Sequence, residues 1–218
     1  MLQLTQITAQ DIKQAKLKKL LPELYHLKDL FEENAWHNHD QVFIHVLKVF
    51  TNTKKALKLD FIDKKQKILL KKHLKQKIVN RSRQELVLWS ALLHDIAKPE
   101  TFKQNPDNST ICANHEAQGA KKTRKILKRL NFPQKEINWL AEIVTIHGQP
   151  HEIIDPQKNS QTLKKDFSQL QQKHPQVFIE LLLLSLADTQ SAQLKQNNPS
   201  EYNFRIKSYK QLLNQLAV

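Results

Sequence analysis

Apolar residues recur along this chain at helical spacing, and no convincing strand-like alternation interrupts them. An amphipathic segment spans about residues 9–20, and Pro22 suits the first turn of a second helix reaching about residue 33. Val42, Val46, Val49 and Phe50 share one face of a helix from 41 to about 57, which Asp40 is placed to cap. A Lys-rich helix over about 63–79 follows. Ser82 can then cap a helix over 83–98 that Pro99 stops. Residues 99–112, with Pro106, Asp107, Asn108 and Ser109, read as a polar loop. Asn114 opens a helix to 130, and Asn131-Phe132-Pro133 separates it from one ending at His147. Gly148 then stands where a left-handed cap belongs. A polar linker over 149–160 leads to a short helix near 163–172. A strongly apolar helix from His174-Pro175 to about 194 follows, and Asn198-Pro199-Ser200 precedes a final amphipathic one. No internal repeat is visible. The expected fold is an all-α bundle of about nine or ten helices.

Composition narrows the function classes. A chain of 218 residues can bury one substantial core. Its two glycines, Gly119 and Gly148, are too few and too far apart for a Gly-rich phosphate loop or a dinucleotide fingerprint. A single cysteine, Cys112, excludes an internal disulfide and fits a reducing cytoplasm. The longest apolar run, Leu181 to Leu184, is far short of a membrane span. The start, Met1-Leu2-Gln3-Leu4-Thr5-Gln6, lacks the basic-then-apolar order of a signal peptide. The expectation is a soluble cytoplasmic protein without disulfides or a membrane partner.

The formal charge of +14 favours phosphate-rich partners. It is concentrated: Lys54 to Arg83 carries twelve Lys or Arg, and Lys121 to Arg129 six more. Thirty of the 35 basic residues are Lys, so a solvated surface shaped by compositional bias explains the charge as well as a binding face does.

The chemistry gathers around His94-Asp95, an imidazole and a carboxylate in the apolar stretch Leu92-Leu93-His94-Asp95-Ile96-Ala97-Lys98-Pro99. Burying either group without a hydrogen bond or an ion is costly. His45 lies within Val42-Phe43-Ile44-His45-Val46-Leu47, His147 follows an apolar helix, and Asp188 interrupts another. His115-Glu116 begins a helix. Each has an ordinary alternative: His45 bonded to a core carbonyl, a plain His94–Asp95 hydrogen bond, an exposed His115, His147 at a helix dipole, Asp188 on a lysine. All of these are needed at once if no metal is involved. Four His and two Asp would instead supply about four ligands for one ion or six shared by two. Imidazole with carboxylate suits Mn²⁺, Fe²⁺, Co²⁺, Ni²⁺ or Zn²⁺ better than Ca²⁺. The lack of thiolates argues against a structural zinc site.

The order His45, His94-Asp95, His115, His147, Asp188 resembles the HD superfamily of metal-dependent phosphohydrolases. It is most similar to the HD domain attached to bacterial tRNA nucleotidyltransferases. Trp36-His37-Asn38-His39-Asp40-Gln41-Val42-Phe43-Ile44-His45 looks like that branch's aromatic-His segment leading to Asp-Val-x-x-His. Residues Leu92 to Thr101 look like its His-Asp-Ile-Gly-Lys-Pro-x-Thr, with Ala97 in place of Gly. His115-Glu116 resembles its Gly-His-Glu, with Asn114 in place of Gly, and Ala187-Asp188 its late Ala-Asp. The resemblance covers about residues 36–190. It implies an N-terminal helical extension over 1–35, an HD domain over 36–194, and a C-terminal helix over 195–218 packed on that domain.

The resemblance also implies roles. His45, His94, Asp95 and Asp188 would hold a first divalent ion, and His115 and His147 a second, with Asp95 bridging. Mg²⁺ joins the transition ions as a candidate. Lys98 would lean toward a phosphate, or simply stabilise the end of its helix, and His37 and His39 could line the entrance. The expected activity is a phosphomonoesterase or phosphodiesterase acting on a phosphorylated small molecule, a nucleotide or an RNA end, with Asp95 and Lys98 carrying the chemistry. With 35 residues before the match, transfer of nucleotides to tRNA is not expected. An RNA- or tRNA-binding module with a non-catalytic metal site is the alternative. A purely structural bundle would leave Asp188 and the doublet unexplained.

Overall fold

The structure, a computed structural model, describes residues 3–216. Met1 and Leu2, on which the leader reading partly rests, lie outside the described residues, as do the last two positions of the expected C-terminal helix. Among the described residues the chain is a helical bundle with two small antiparallel hairpins.

Its centre is made by α2 (Val42–Ala56), α4 (Arg83–Leu93) and α10 (Phe178–Thr189), which pack on one another, with α7 (Gln134–Ile146) against α4. The helices α4 and α10 are buried nearly all round. That explains why their sequences read as continuous apolar runs rather than stripes. Around them lie α3 (Lys64–Lys75), α6 (His115–Arg129), α9 (Ser160–Lys173) and α12 (Pro199–Gln215), each with one buried stripe. Leu4, Ile12, Tyr209 and Leu213 are buried in the same cluster as Leu88, Leu140 and Leu183. The α6–α7 contact is close at Gly119, where a Cβ would stand 3.1 Å from Val144 Cγ1. Among the described residues no helix is long and apolar enough to cross a membrane.

Several expectations need correction. The first helix, α1, covers only Ala9–Lys13, capped by a reciprocal Thr8–Asp11 box, and Ala15 at φ 66° turns the chain away. The second is a 3₁₀ helix, Pro22–Asp29. The chain does contain strands: β1 (Phe31–Asn34) pairs with β2 (His37–Gln41), and β3 (Phe102–Gln104) with β4 (Thr110–Cys112). The expected polar loop over 99–112 is therefore the end of a short helix followed by a hairpin over 102–112. The Thr110 hydroxyl accepts from the Glu33 amide at 2.8 Å and ties the two hairpins together. Asp40 does not cap α2. Gln41 holds that position, and the Asp40 carboxylate accepts from His37 Nδ1 and Lys48 Nζ instead. Ser82 caps α4 by position but without a side-chain bond.

The helix expected over 83–98 ends at Leu93. The backbone turns through 94–97 and restarts as α5 (Lys98–Thr101), with Pro99 in its first turn rather than as a stop. Gly148 is right-handed, at φ −74°, and leads into α8 (Gln149–Ile153) inside the expected linker. The apolar helix is shorter than expected, and a separate turn of helix, α11 (Leu194–Asn197), follows it.

Candidate metal centre

The break after α4 sets the site. His94 is the C-cap residue of that helix and Asp95 lies in the following turn, so both project from a helix end into the space between α2, α6, α7 and α10. His45 comes from the middle of α2, His115 from the first position of α6, His147 from the C-cap of α7, and Asp188 from the last turn of α10. All six sequence-predicted ligands converge. Two groups of donor atoms form: His45, His94 and Asp188 on one side, Asp95, His115 and His147 on the other.

Asp95 joins them. Its Oδ2 lies 3.2 Å from His94 Nε2 and 3.9 Å from His45 Nε2. Its Oδ1 lies 3.4 Å from His115 Nε2 and 3.7 Å from His147 Nε2. Asp188 Oδ1 is 2.9 Å from His45 Nε2. Asp95 is only 2% exposed. Burial opposes its charge, yet His94, Lys98, His115 and His147 hold its pKa well below the usual carboxylate range. Asp188 is held low in the same way, by His151 and His45 against its burial.

The backbone fixes which imidazole nitrogen faces inward. Nδ1 of His94 donates to the Ala91 carbonyl at 3.0 Å, that of His115 to Cys112 at 2.8 Å and that of His147 to Val144 at 2.8 Å. Each bond leaves a lone pair on Nε2, the arrangement of a metal-ligating histidine whose other nitrogen is held by a carbonyl. His115 Nε2 and His147 Nε2 are then only 3.3 Å apart, and two lone pairs at that distance repel unless a cation or a proton lies between them. Nε2 of His94 and Nδ1 of His45 are buried without a hydrogen-bond partner among the described residues. Burial lowers the pKa of His45 and, with His94 and His115 nearby, that of His147. For His94 and His115 burial acts downward too, but Asp95 outweighs it and raises both. The site therefore demands positive charge at atoms aimed into it, and a divalent ion fits that demand.

The remaining predicted residues divide. Lys98 is buried, with Nζ 3.0 Å from Asp95 Oδ2 and 2.7 Å from Glu32 Oε2; these carboxylates outweigh burial and raise its pKa. His37 lines the cleft beside the site, its ring edge-on to His45 at 4.8 Å. His39 is a correction. It is exposed on β2, its ring stacked on Phe31, and it does not line the cleft. Asn114 bears on the departure noted in the sequence: it sits at φ 60°, the left-handed conformation glycine adopts freely and asparagine tolerates. The backbone entering His115 is thus one that Gly would also allow.

Three contributors escaped the sequence reading. Glu32 is buried on β1, where simple alternation puts Phe31 inside, and nothing local signals the inversion. His151 sits in the polar run Gln149-Pro150-His151-Glu152, and its spacing of four from His147 was the available clue. Tyr209, on α12, reaches the site only through His151, its hydroxyl 2.9 Å from Nδ1, and nothing local signals that contact.

A family model described as the HD domain matches residues 42–193, well over half of the chain. A curated relative, the A-adding tRNA nucleotidyltransferase of Deinococcus radiodurans, is 37% identical over 76 residues. That match covers 34% of this chain and 18% of the relative, so the chain spans under a fifth of that protein's length.

Proposed function

We propose, from the premise that this chain belongs to the HD domain family, that it is a metal-dependent phosphohydrolase acting on a nucleotide or RNA-end phosphate. The observation that carries the reading is the position of Asp95, one oxygen turned to His115 and His147 and the other to His94 and His45. The two donor groups flanking it suit two ions. Divalent metal bound there would lower the pKa of a coordinated water and polarise a phosphoryl oxygen.

The chain's own residues do the rest. Buried Asp95 and Asp188 supply negative charge to hold the cation, and the carbonyl-locked imidazoles supply lone pairs in fixed directions. Lys98 lines the cleft and offers an ammonium group to charge developing on a phosphate. Glu32 holds that ammonium from the opposite side. The cleft, about 170 Å³, suits the phosphate end of a substrate whose remainder stays outside. Trp36 and His37 stand on its wall. A cytoplasmic setting fits the single cysteine.

The RNA-binding alternative draws on one observation, a groove beside α5 lined by Lys121, Lys122 and Lys125. It treats the ligand set as non-catalytic and leaves the retention of all six ligands without a reason.

The test is hydrolysis of a panel of phosphomonoesters, nucleotides and 2′,3′-cyclic phosphates, before and after chelation. Turnover of at least one member that chelator abolishes and Mn²⁺, Co²⁺ or Ni²⁺ restores is expected. RNA binding that weakens steeply with salt, with no turnover of any member under any metal, would favour the alternative.

A further inference from the structure

Asp188 uses both carboxylate oxygens. While Oδ1 faces His45, Oδ2 lies 3.1 Å from Nε2 of His151, whose ring reaches the cleft from α8. The other ring nitrogen, Nδ1, is 2.9 Å from the hydroxyl of Tyr209 on α12, and Tyr209 is fully buried. The proton positions follow from the inventory of donors. Ionised Asp188 can only accept, so His151 Nε2 carries a hydrogen; in the neutral ring Nδ1 then keeps its lone pair, and the Tyr209 hydroxyl donates to it. This is the reverse of His94, His115 and His147, whose Nδ1 atoms donate to carbonyls and whose Nε2 lone pairs face inward. By this bonding His151 is a donor to the site and not a ligand in it.

The placement of His151 is built from outside the matched segment. Arg205 on α12 donates from its Nη1 to the His151 carbonyl at 2.7 Å, and the Trp36 ring meets the imidazole edge-on at 5.1 Å. The same guanidinium covers the Trp36 face at 4.7 Å. Trp36, Arg205 and Tyr209 all fall outside residues 42–193.

We propose that Tyr209 and His151 form a positioning chain that pins Oδ2 of Asp188 and so presents Oδ1, and only Oδ1, beside His45. The C-terminal helix thereby takes part in the metal centre. This inference rests on the metal reading above. Freed of His151, the Asp188 carboxylate can rotate, and the geometry on the His45 side loses its definition. Groups that orient a ligand in this way typically govern about 10–100-fold in metal affinity.

The experiment has two arms. Long-range ¹⁵N–¹H NMR of the metal-free protein reads the His151 tautomer directly: hydrogen on Nε2 is expected, and hydrogen on Nδ1 would overturn the inference. Mn²⁺ titration followed by electron paramagnetic resonance then compares wild type with His151→Ala, His151→Gln and Tyr209→Phe. About tenfold or more weaker binding is expected for His151→Ala and a smaller loss for Tyr209→Phe. His151→Gln, whose amide can still donate to Oδ2, should recover part of the loss, which a merely structural defect would not allow. Unchanged affinity in His151→Ala and Tyr209→Phe, with wild type binding Mn²⁺, overturns the positioning chain and leaves the metal reading intact. Absence of Mn²⁺ binding by wild type overturns the metal reading and this inference with it.

Discussion

Replacing Asp95 by Asn separates a bridging carboxylate from an ordinary one. The side chain keeps its shape and loses its charge. Four imidazole nitrogens lie within 3.9 Å of its two oxygens, two on each side, so the change withdraws an anionic ligand from both donor groups at once. Outer groups that merely orient a ligand are worth about 10–100-fold in metal affinity, so a shared direct ligand belongs at or above the top of that range. That is a loss of about 2.7 kcal/mol or more, at about 1.4 kcal/mol per tenfold. Folding should suffer less. Lys98 keeps Glu32 at 2.7 Å and is not left as an uncompensated buried charge, so the metal-free variant should lose about 1–3 kcal/mol. Calorimetric titration with Mn²⁺ measures affinity and stoichiometry, and urea unfolding measures stability. Asp188→Asn, which touches only the His45 side, should weaken one class of sites. Asp95→Asn should weaken both. A variant Asp95→Asn that binds the same number of ions with wild-type affinity would refute the bridging role.

Other expectations follow from the same structure. Glu136 is fully buried, accepting from the Asn80 and Arg81 amides at 2.7 and 2.8 Å and from the Arg81 guanidinium at 2.6 Å. Glu136→Gln leaves that guanidinium without its counter-charge and should cost about 3–5 kcal/mol by urea unfolding. Asn114→Gly should be tolerated, whereas Asn114→Ala should cost about 1–2 kcal/mol for a left-handed residue with a Cβ. Gly148→Ala should cost less than Asn114→Ala by the same assay. Its backbone is right-handed, and the Cβ would meet only Glu116 Oε1, at 3.1 Å, the end of a flexible side chain. Burial, with Glu32 and Asp95 nearby, pushes the Cys112 thiol up to about 12. A thiol reagent at pH 8 should therefore label the folded protein slowly and the unfolded protein at once.

The bundle was readable because its helices carry long repeats of apolar positions, and α4 and α10 betrayed their burial by losing the stripe altogether. Four of the six ligands were readable for a related reason, and His115 and His147 through the order of residues shared with the HD family. A histidine or aspartate within an apolar run needs a partner, and His45, His94, Asp95 and Asp188 all stand in such runs. The hairpins were hidden by their shortness and by inverted burial. In β1 the charged Glu32 is inside and Phe31 outside, because Lys98 waits on the inner side. Pro99 read as a stop because a proline ends a helix it follows, but here the helix had already ended and the proline begins the next. His151 and Tyr209 lie 58 residues apart and meet only through the packing of α8 and α12 beside α10, which no local pattern encodes.

The metal centre is built on Asp95. Anomalous diffraction from crystals of the protein loaded with Mn²⁺ tests it most directly. Two peaks flanking the Asp95 carboxylate are expected, one among His45, His94 and Asp188 and the other beside His115 and His147. Loaded crystals with no peak at Asp95, or with Mn²⁺ held only by other residues, would contradict it.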